Sequence, residues 1–173
     1  MKKDNWILKA FLMTFFIALF FSSVSNIIIS KFNYLALIIF SILFILIGII
    51  FDVIGTAVLT ADERVFHAKS SQKIKGAKES VYLIKNSSRI ATICNDVIGD
   101  ICGIVSGSIG AMLSIFLADV SGINVVYTTL LISSLISSLT VGGKAIGKKI
   151  ATKKNEKIVS NVGTVLSVFK RGK

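Results

Sequence analysis

The chain contains no proline, a single histidine and two cysteines, and only 17% of its 173 residues are charged. Most of these shortages exclude something. A soluble domain of this size keeps about a quarter of its residues charged. Here 53% of residues are hydrophobic and they fall into long uncharged runs, which places the chain in the membrane class. Cys94 and Cys102 sit in one apolar run, too far apart on a single helix for a disulfide within it. No Cys/His cluster is present, so there is no zinc signature, and His67 among its lysines reads as a solvated side chain. Nor is there a nucleophile–base pair, a phosphate loop or a metal-hydrolase motif, and no enzymatic activity is expected.

Acids are scarce as well, with 9 Asp and Glu against 20 Lys and Arg, giving a net charge of +11. In a soluble protein that excess points to nucleic acid. The basic residues are not interleaved with stacking aromatics, so no nucleic-acid partner is expected. In a membrane protein the same excess sets orientation, because Lys and Arg accumulate on the cytoplasmic side.

Four apolar runs, at about 6–30, 34–60, 90–118 and 123–141, approach or exceed the roughly 20 residues that span a bilayer core. The first follows the basic start Met1-Lys2-Lys3. Its apolar stretch exceeds the about 7–15 residues of a signal-peptide core, and no convincing A-x-A site follows, so it reads as an anchor. Lys9 near its start can snorkel toward the headgroups. Lys31-Phe32-Asn33 turns the chain into the second run, Asp119-Val120-Ser121-Gly122 links the third and fourth, and Asn86-Ser87-Ser88 offers side-chain caps for the third.

Between the second and third runs, residues 61–89 carry seven Lys or Arg against Asp62, Glu63 and Glu79. Phe66, Ile74, Ala77, Val81 and Ile84 recur at the spacing of one helical stripe. A basic juxtamembrane helix with one apolar face belongs against anionic lipid or against the bundle. Residues 143–173 carry nine Lys or Arg against Glu156, with a second stripe of Ile158, Val162, Val165, Leu166 and Phe169. With the N-terminus inside, every Lys and Arg except Lys31 lies on the cytoplasmic side. The expected topology is therefore multi-pass in the inner or plasma membrane, with both termini cytoplasmic. Both amphipathic segments then share one side, where they can pack together. The expected fold is an all-α membrane protein of four transmembrane helices with a basic amphipathic juxtamembrane helix.

Carboxylates inside a membrane are rare and point to function by default. Asp96 and Asp100 lie four apart on one face of the third span, and Asn95 adjoins them. A stacked pair repels unless something positive binds beside it, and a hard cation such as Mg²⁺ or Ca²⁺ prefers oxygen ligands. Two other readings stay open. Lys144 can fold back to neutralise one carboxylate, or both acids can lie at the cytoplasmic mouth. Asp52, near the inner end of the second span, could meet them at one depth. Gly99, Gly103 and Gly107 form a small-residue array that admits a close helix, within the monomer or across a dimer. The hydroxyls Ser133, Ser134, Ser137, Ser138 and Thr140 of the fourth span fit packing better than a polar path.

The order of these parts, from about residue 50 to 169, resembles the transmembrane domain of the CNNM/CorC/CorB family of magnesium and cobalt transport proteins. Gly55-Thr56-Ala57-Val58-Leu59-Thr60 stands where that family has a Ser-Glu-x-Ala-Leu-type segment. Asn95-Asp96-Val97-Ile98-Gly99-Asp100 is similar to its Gly-Asn-x-Leu-Val-Asn stretch. Gly143-Lys144-Ala145-Ile146-Gly147-Lys148 resembles its Gly-Glu-x-x-Pro-Lys motif, with Lys144 in place of the glutamate that helps bind Mg²⁺ and Gly147 in place of the proline. The resemblance implies an extra span in 1–33, the family-like domain in 34–169 with a juxtamembrane helix over 61–89, and a basic tail in 170–173. It implies a homodimer that transports or senses Mg²⁺ or Co²⁺. Asp96 and Asp100 would be oxygen ligands, joined by Asp52, Asn95 and Thr56, with Gly143, Lys144, Gly147 and Lys148 as the motif remnant. The family's regulatory CBS domains are not expected. The alternative is a non-transporting module that serves as a scaffold or subunit for a separate cytoplasmic partner. A small pore-forming protein would fit the length and basic tail but leaves the internal acids unexplained.

Overall fold

The computed structural model describes residues 6–170; the basic start and the last three residues of the tail lie outside them. Regular structure among the described residues is helical throughout: α1 (Trp6–Lys31), α2 (Tyr34–Thr60), α3 (Glu63–Ser71), α4 (Ala77–Lys85), α5 (Ser87–Ala91), a π-helical segment (Thr92–Ile98), α6 (Gly99–Ser121), α7 (Val125–Lys153) and α8 (Asn155–Lys170). Four stretches are long and apolar enough to cross a membrane: Phe11–Lys31, Tyr34–Thr60, Ser87–Ser121 and Val125–Lys153. The protein is an all-α membrane protein.

Short polar residues set the helix boundaries. Asn33 Oδ1 accepts from the Ala36 amide at the start of α2, Asp62 Oδ1 from Arg64 at the start of α3, and Asn124 Oδ1 from Val126 at the start of α7. Each satisfies an amide that has no partner within its own helix. Gly122, at φ 69, turns the chain after α6. Asn86 departs from the expected cap. Its Nδ2 donates to the Tyr82 carbonyl, so it closes α4 and leaves the next helix without a side-chain cap.

Three boundaries differ from the apolar runs. The fourth span continues through Gly142-Gly143 to Lys153, with Gly143 packed on Ile49. The basic segment 61–89 is two short helices and a turn instead of one helix. Lys73 at φ 56 and Gly76 at φ 79 reverse the chain there, and a β-carbon on Gly76 would stand 2.5 Å from the Thr164 nitrogen, so it has no room. The third difference is the π stretch at 92–98. No proline accounts for it, and single π turns of this kind are frequent at functional positions.

The chain divides into two compact units, 1–46 with 100–140 and 47–99 with 141–173. In the first, Ile28, Leu37, Phe44, Ile101, Val105, Ile109 and Leu113 are buried, and Gly110 admits the Ile132 and Ile136 side chains of α7. The hydroxyls pair locally. Ser114 Oγ and Thr129 Oγ1 lie 3.0 Å apart, Thr128 donates to the Ser114 carbonyl, and Ser133, Ser138 and Thr140 donate to carbonyls one turn back in α7. These bonds satisfy Ser133, Ser138 and Thr140 inside the helix, whereas Ser134 and Ser137 stand exposed.

The second unit holds a conventional hydrophobic core of Ala57, Val58, Phe66, Leu83, Ile84, Ala151 and Val159, with Val81, Ile158 and Val162 against it. The two amphipathic stripes thus bury each other: α4 packs on α8 and α3 on α4. Ser80, fully buried, donates to the carbonyls of Gly76 and Val159. Asn155 Nδ2 donates to the Thr60 carbonyl at 2.7 Å, which ties the start of α8 to the end of α2. The outer parts of the stripes stay uncovered, with Ile74, Val165, Leu166 and Phe169 exposed. His67 pairs with Glu63 on the surface, as its solvated reading implied.

Candidate functional site

The polar junction of the second unit is built where α2, α7 and the π segment meet. The helices approach closely because glycines face large side chains. Gly143 of α7 lies against Ile49, and Gly147 lies against Val53 and Ile49 of α2, where a β-carbon on Gly147 would stand 2.7 Å from Val53 Cγ2. On the other flank, Gly55 gives its space to the Asn95 side chain, with 2.8 Å between the Asn95 Cγ and the position of an added β-carbon. Asp52 lies one turn before Gly55 on the same face of α2.

Asp52 is the buried charge of this junction, 2% exposed. Its Oδ1 stands 3.9 Å from the Lys148 Nζ, whose side chain is 55% exposed. That separation is longer than the about 2.7–2.9 Å of a charge-assisted hydrogen bond, so the lysine neutralises without tightly coordinating. Asp52 Oδ2 and Asn95 Oδ1 are both buried and find no donor among the described residues. Acceptors held in a low dielectric without a donor are costly, and they are the natural ligands of a cation. Thr56, half-buried, follows one turn beyond Asp52. Lys144 is partly buried, and its Nζ lies over Gly99, 3.4 Å from where a β-carbon would be. Gly99 therefore packs as the small-residue array suggested, against a lysine as well as a helix.

The sequence-derived candidates separate into two groups. Asp52, Asn95, Thr56, Gly99, Gly143, Lys144, Gly147 and Lys148 belong to the second unit, where Asp52 meets Lys148 and Gly99 meets Lys144. Asp96 and Asp100 lie on exposed faces of their helix segments, and no group of three or more His, Cys, Asp or Glu residues converges among the described residues. Gly103 and Gly107 have nothing within 4 Å of a β-carbon, whereas Gly110, outside the array, is tightly packed. Sequence reasoning offered Lys144 as the lysine that neutralises an aspartate of the third span, and missed Lys148 as the counter-ion of Asp52. The spacing carried a signal: Gly143/Gly147 and Lys144/Lys148 each recur at four residues, a small face beside a cationic face on one helix.

No family model, curated protein or solved structure matches the chain.

Proposed function

We propose that the protein handles divalent cations of the Mg²⁺ or Co²⁺ class in the cell membrane, as a transporter or sensor, with both termini cytoplasmic. One observation carries the reading: Asp52 Oδ2 and Asn95 Oδ1 are buried oxygens without a protein donor, on helices that meet at Gly55. Hard divalent ions take such carboxylate and amide oxygens. Lys148 is the displaceable occupant, loosely placed and half in solvent. Asp96 is an exposed carboxylate for ion capture, and Thr56 supplies a further oxygen. The test is calorimetric titration of Mg²⁺ and Co²⁺ into the detergent-purified protein. Asp52→Asn should weaken binding by about tenfold or more, about 1.4 kcal/mol, and Asp96→Asn/Asp100→Asn should weaken it less. A larger loss in the double variant would move the ligands to the exposed acids.

A second reading rests on Lys148, an ammonium group that already stands beside the buried Asp52 carboxylate. It makes the chain a non-transporting scaffold or subunit for another protein. Absence of cation binding by the wild type and by Lys144→Gln/Lys148→Gln alike would favour it over the first.

The homodimer implied by the resemblance belongs to the same proposal. Gly103 and Gly107 leave an open small-residue surface of the kind that lets membrane helices associate. Gly107→Leu should shift the purified protein from dimer to monomer in light scattering. An unchanged mass would remove this surface from the interface.

A further inference from the structure

The turn between α3 and α4 gathers charge of one sign. Lys73, Lys75 and Lys78 line one cavity of about 630 Å³, together with the hydroxyl residues Ser70, Ser71 and Ser167 and with Ile74 and Glu79. Among the described residues, none of the three lysines has a carboxylate within ion-pair distance, although Glu79 lines the same cavity. The neighbouring basic cavity, of about 500 Å³ beside Lys153, Lys154 and Lys157, differs in this respect, because its Lys69 meets Glu156 at 3.9 Å. Like charges brought together without a partner repel, and an anion relieves them.

The lysines are held in place by the fold. The turn closes through Lys73 N–H to the Ser70 carbonyl and Ile74 N–H to the Lys69 carbonyl. Thr164 Oγ1 of α8 donates to the Lys75 carbonyl, and Gly76 is wedged against the Thr164 backbone. A cationic cavity on a fixed turn recognises its ligand with little ordering cost. The elements that wall it leave the spans by very short links: Ala61-Asp62 joins α2 to α3, and Lys154 joins α7 to α8. The cavity therefore belongs to segments tethered at the ends of two membrane helices, where the anion at high local concentration is a phospholipid headgroup.

We propose that this cavity binds the phosphate headgroup of an anionic phospholipid, with Lys73, Lys75 and Lys78 as the charge partners and Ser70 as a hydroxyl donor. The experiment titrates short-chain phosphatidylglycerol into the detergent-purified full chain and follows the thermal midpoint. Parallel titrations use phosphatidylcholine and inorganic phosphate. The expected result is saturable stabilisation by phosphatidylglycerol only. Lys73→Gln/Lys75→Gln/Lys78→Gln should raise the half-saturating concentration about a hundredfold, roughly fivefold per lysine. Lys153→Gln/Lys154→Gln/Lys157→Gln, in the neighbouring cavity, should leave it unchanged. Equal loss in both triple variants would overturn the proposal in favour of diffuse surface charge. Saturation by inorganic phosphate alone would reassign the cavity to a soluble phosphate ligand. Stabilisation by phosphatidylcholine to the same extent, or by none of the three, would show that the cavity does not select anionic headgroups.

Discussion

Replacing Gly163 with alanine should lower the thermal midpoint of the purified protein by several degrees, against the usual direction of that substitution. In a helix interior, alanine is favoured over glycine by about 1 kcal/mol. Gly163, however, sits where α8 crosses the start of α4. A β-carbon there would lie 2.5 Å from the Gly76 carbonyl oxygen and 3.1 Å from the Ser80 amide nitrogen, and against the Ser80 hydroxyl. Two of these atoms are backbone and cannot swing away. Overpacking of this kind costs about 1–3 kcal/mol, occasionally more, and here it must force apart helices that bury Val159, Leu83 and Ile84. We expect a net loss of about 2 kcal/mol, or roughly 5 °C for a chain of this length. Ser80→Ala in the same background should not rescue it, since the Gly76 carbonyl remains. A midpoint at or above wild type would show that α4 and α8 do not cross at Gly163.

Removing Lys148 should harm the protein more than neutralising its partner. The Asp52 side chain is 3% exposed and the Lys148 side chain 55%, so the two charges have unequal alternatives. In Lys148→Ala the carboxylate stays buried without this counter-ion. Such truncations cost several kcal/mol for fully buried pairs and less for a loose one, and about 1–3 kcal/mol is expected here. In Asp52→Asn the ammonium returns to solvent at a cost near that of a surface pair, roughly 0–1 kcal/mol. The proposed cation role adds a second readout: Mg²⁺ should restore part of the midpoint lost in Lys148→Ala and do nothing for Lys148→Ala/Asp52→Asn. If Asp52→Asn were the more damaging change, Asp52 would be serving as a structural anchor, and the case for an exchangeable cation at this site would fall.

The four spans were legible because membrane helices declare themselves by composition: each needs a long uncharged run, and nothing distant in the chain alters that requirement. The lone His67, the self-satisfied hydroxyls of α7 and the amphipathic stripes of the basic segments were legible for similar local reasons. The break of 61–89 into α3 and α4 was not. Nothing in the stripe of Phe66, Ala77 and Ile84 reveals that Lys73 and Gly76 adopt left-handed backbone, at a turn where Gly76 packs on Thr164 of α8. The roles of the glycines were equally hidden. Gly103 and Gly107 carry the obvious spacing yet face open space, while glycines without that spacing, Gly55, Gly110 and Gly147 among them, meet side chains.

Sequence alone thus determined the membrane class, the number of spans and the presence of two basic amphipathic segments, since hydropathy and helical period act within a few turns. Tertiary structure decided which acid is buried, which lysine meets it, and that the apolar stripes cover each other. Those outcomes depend on contacts between residues as distant in the chain as Asp52 and Lys148. Burial and charge compensation are properties of such contacts, and no local pattern encodes them.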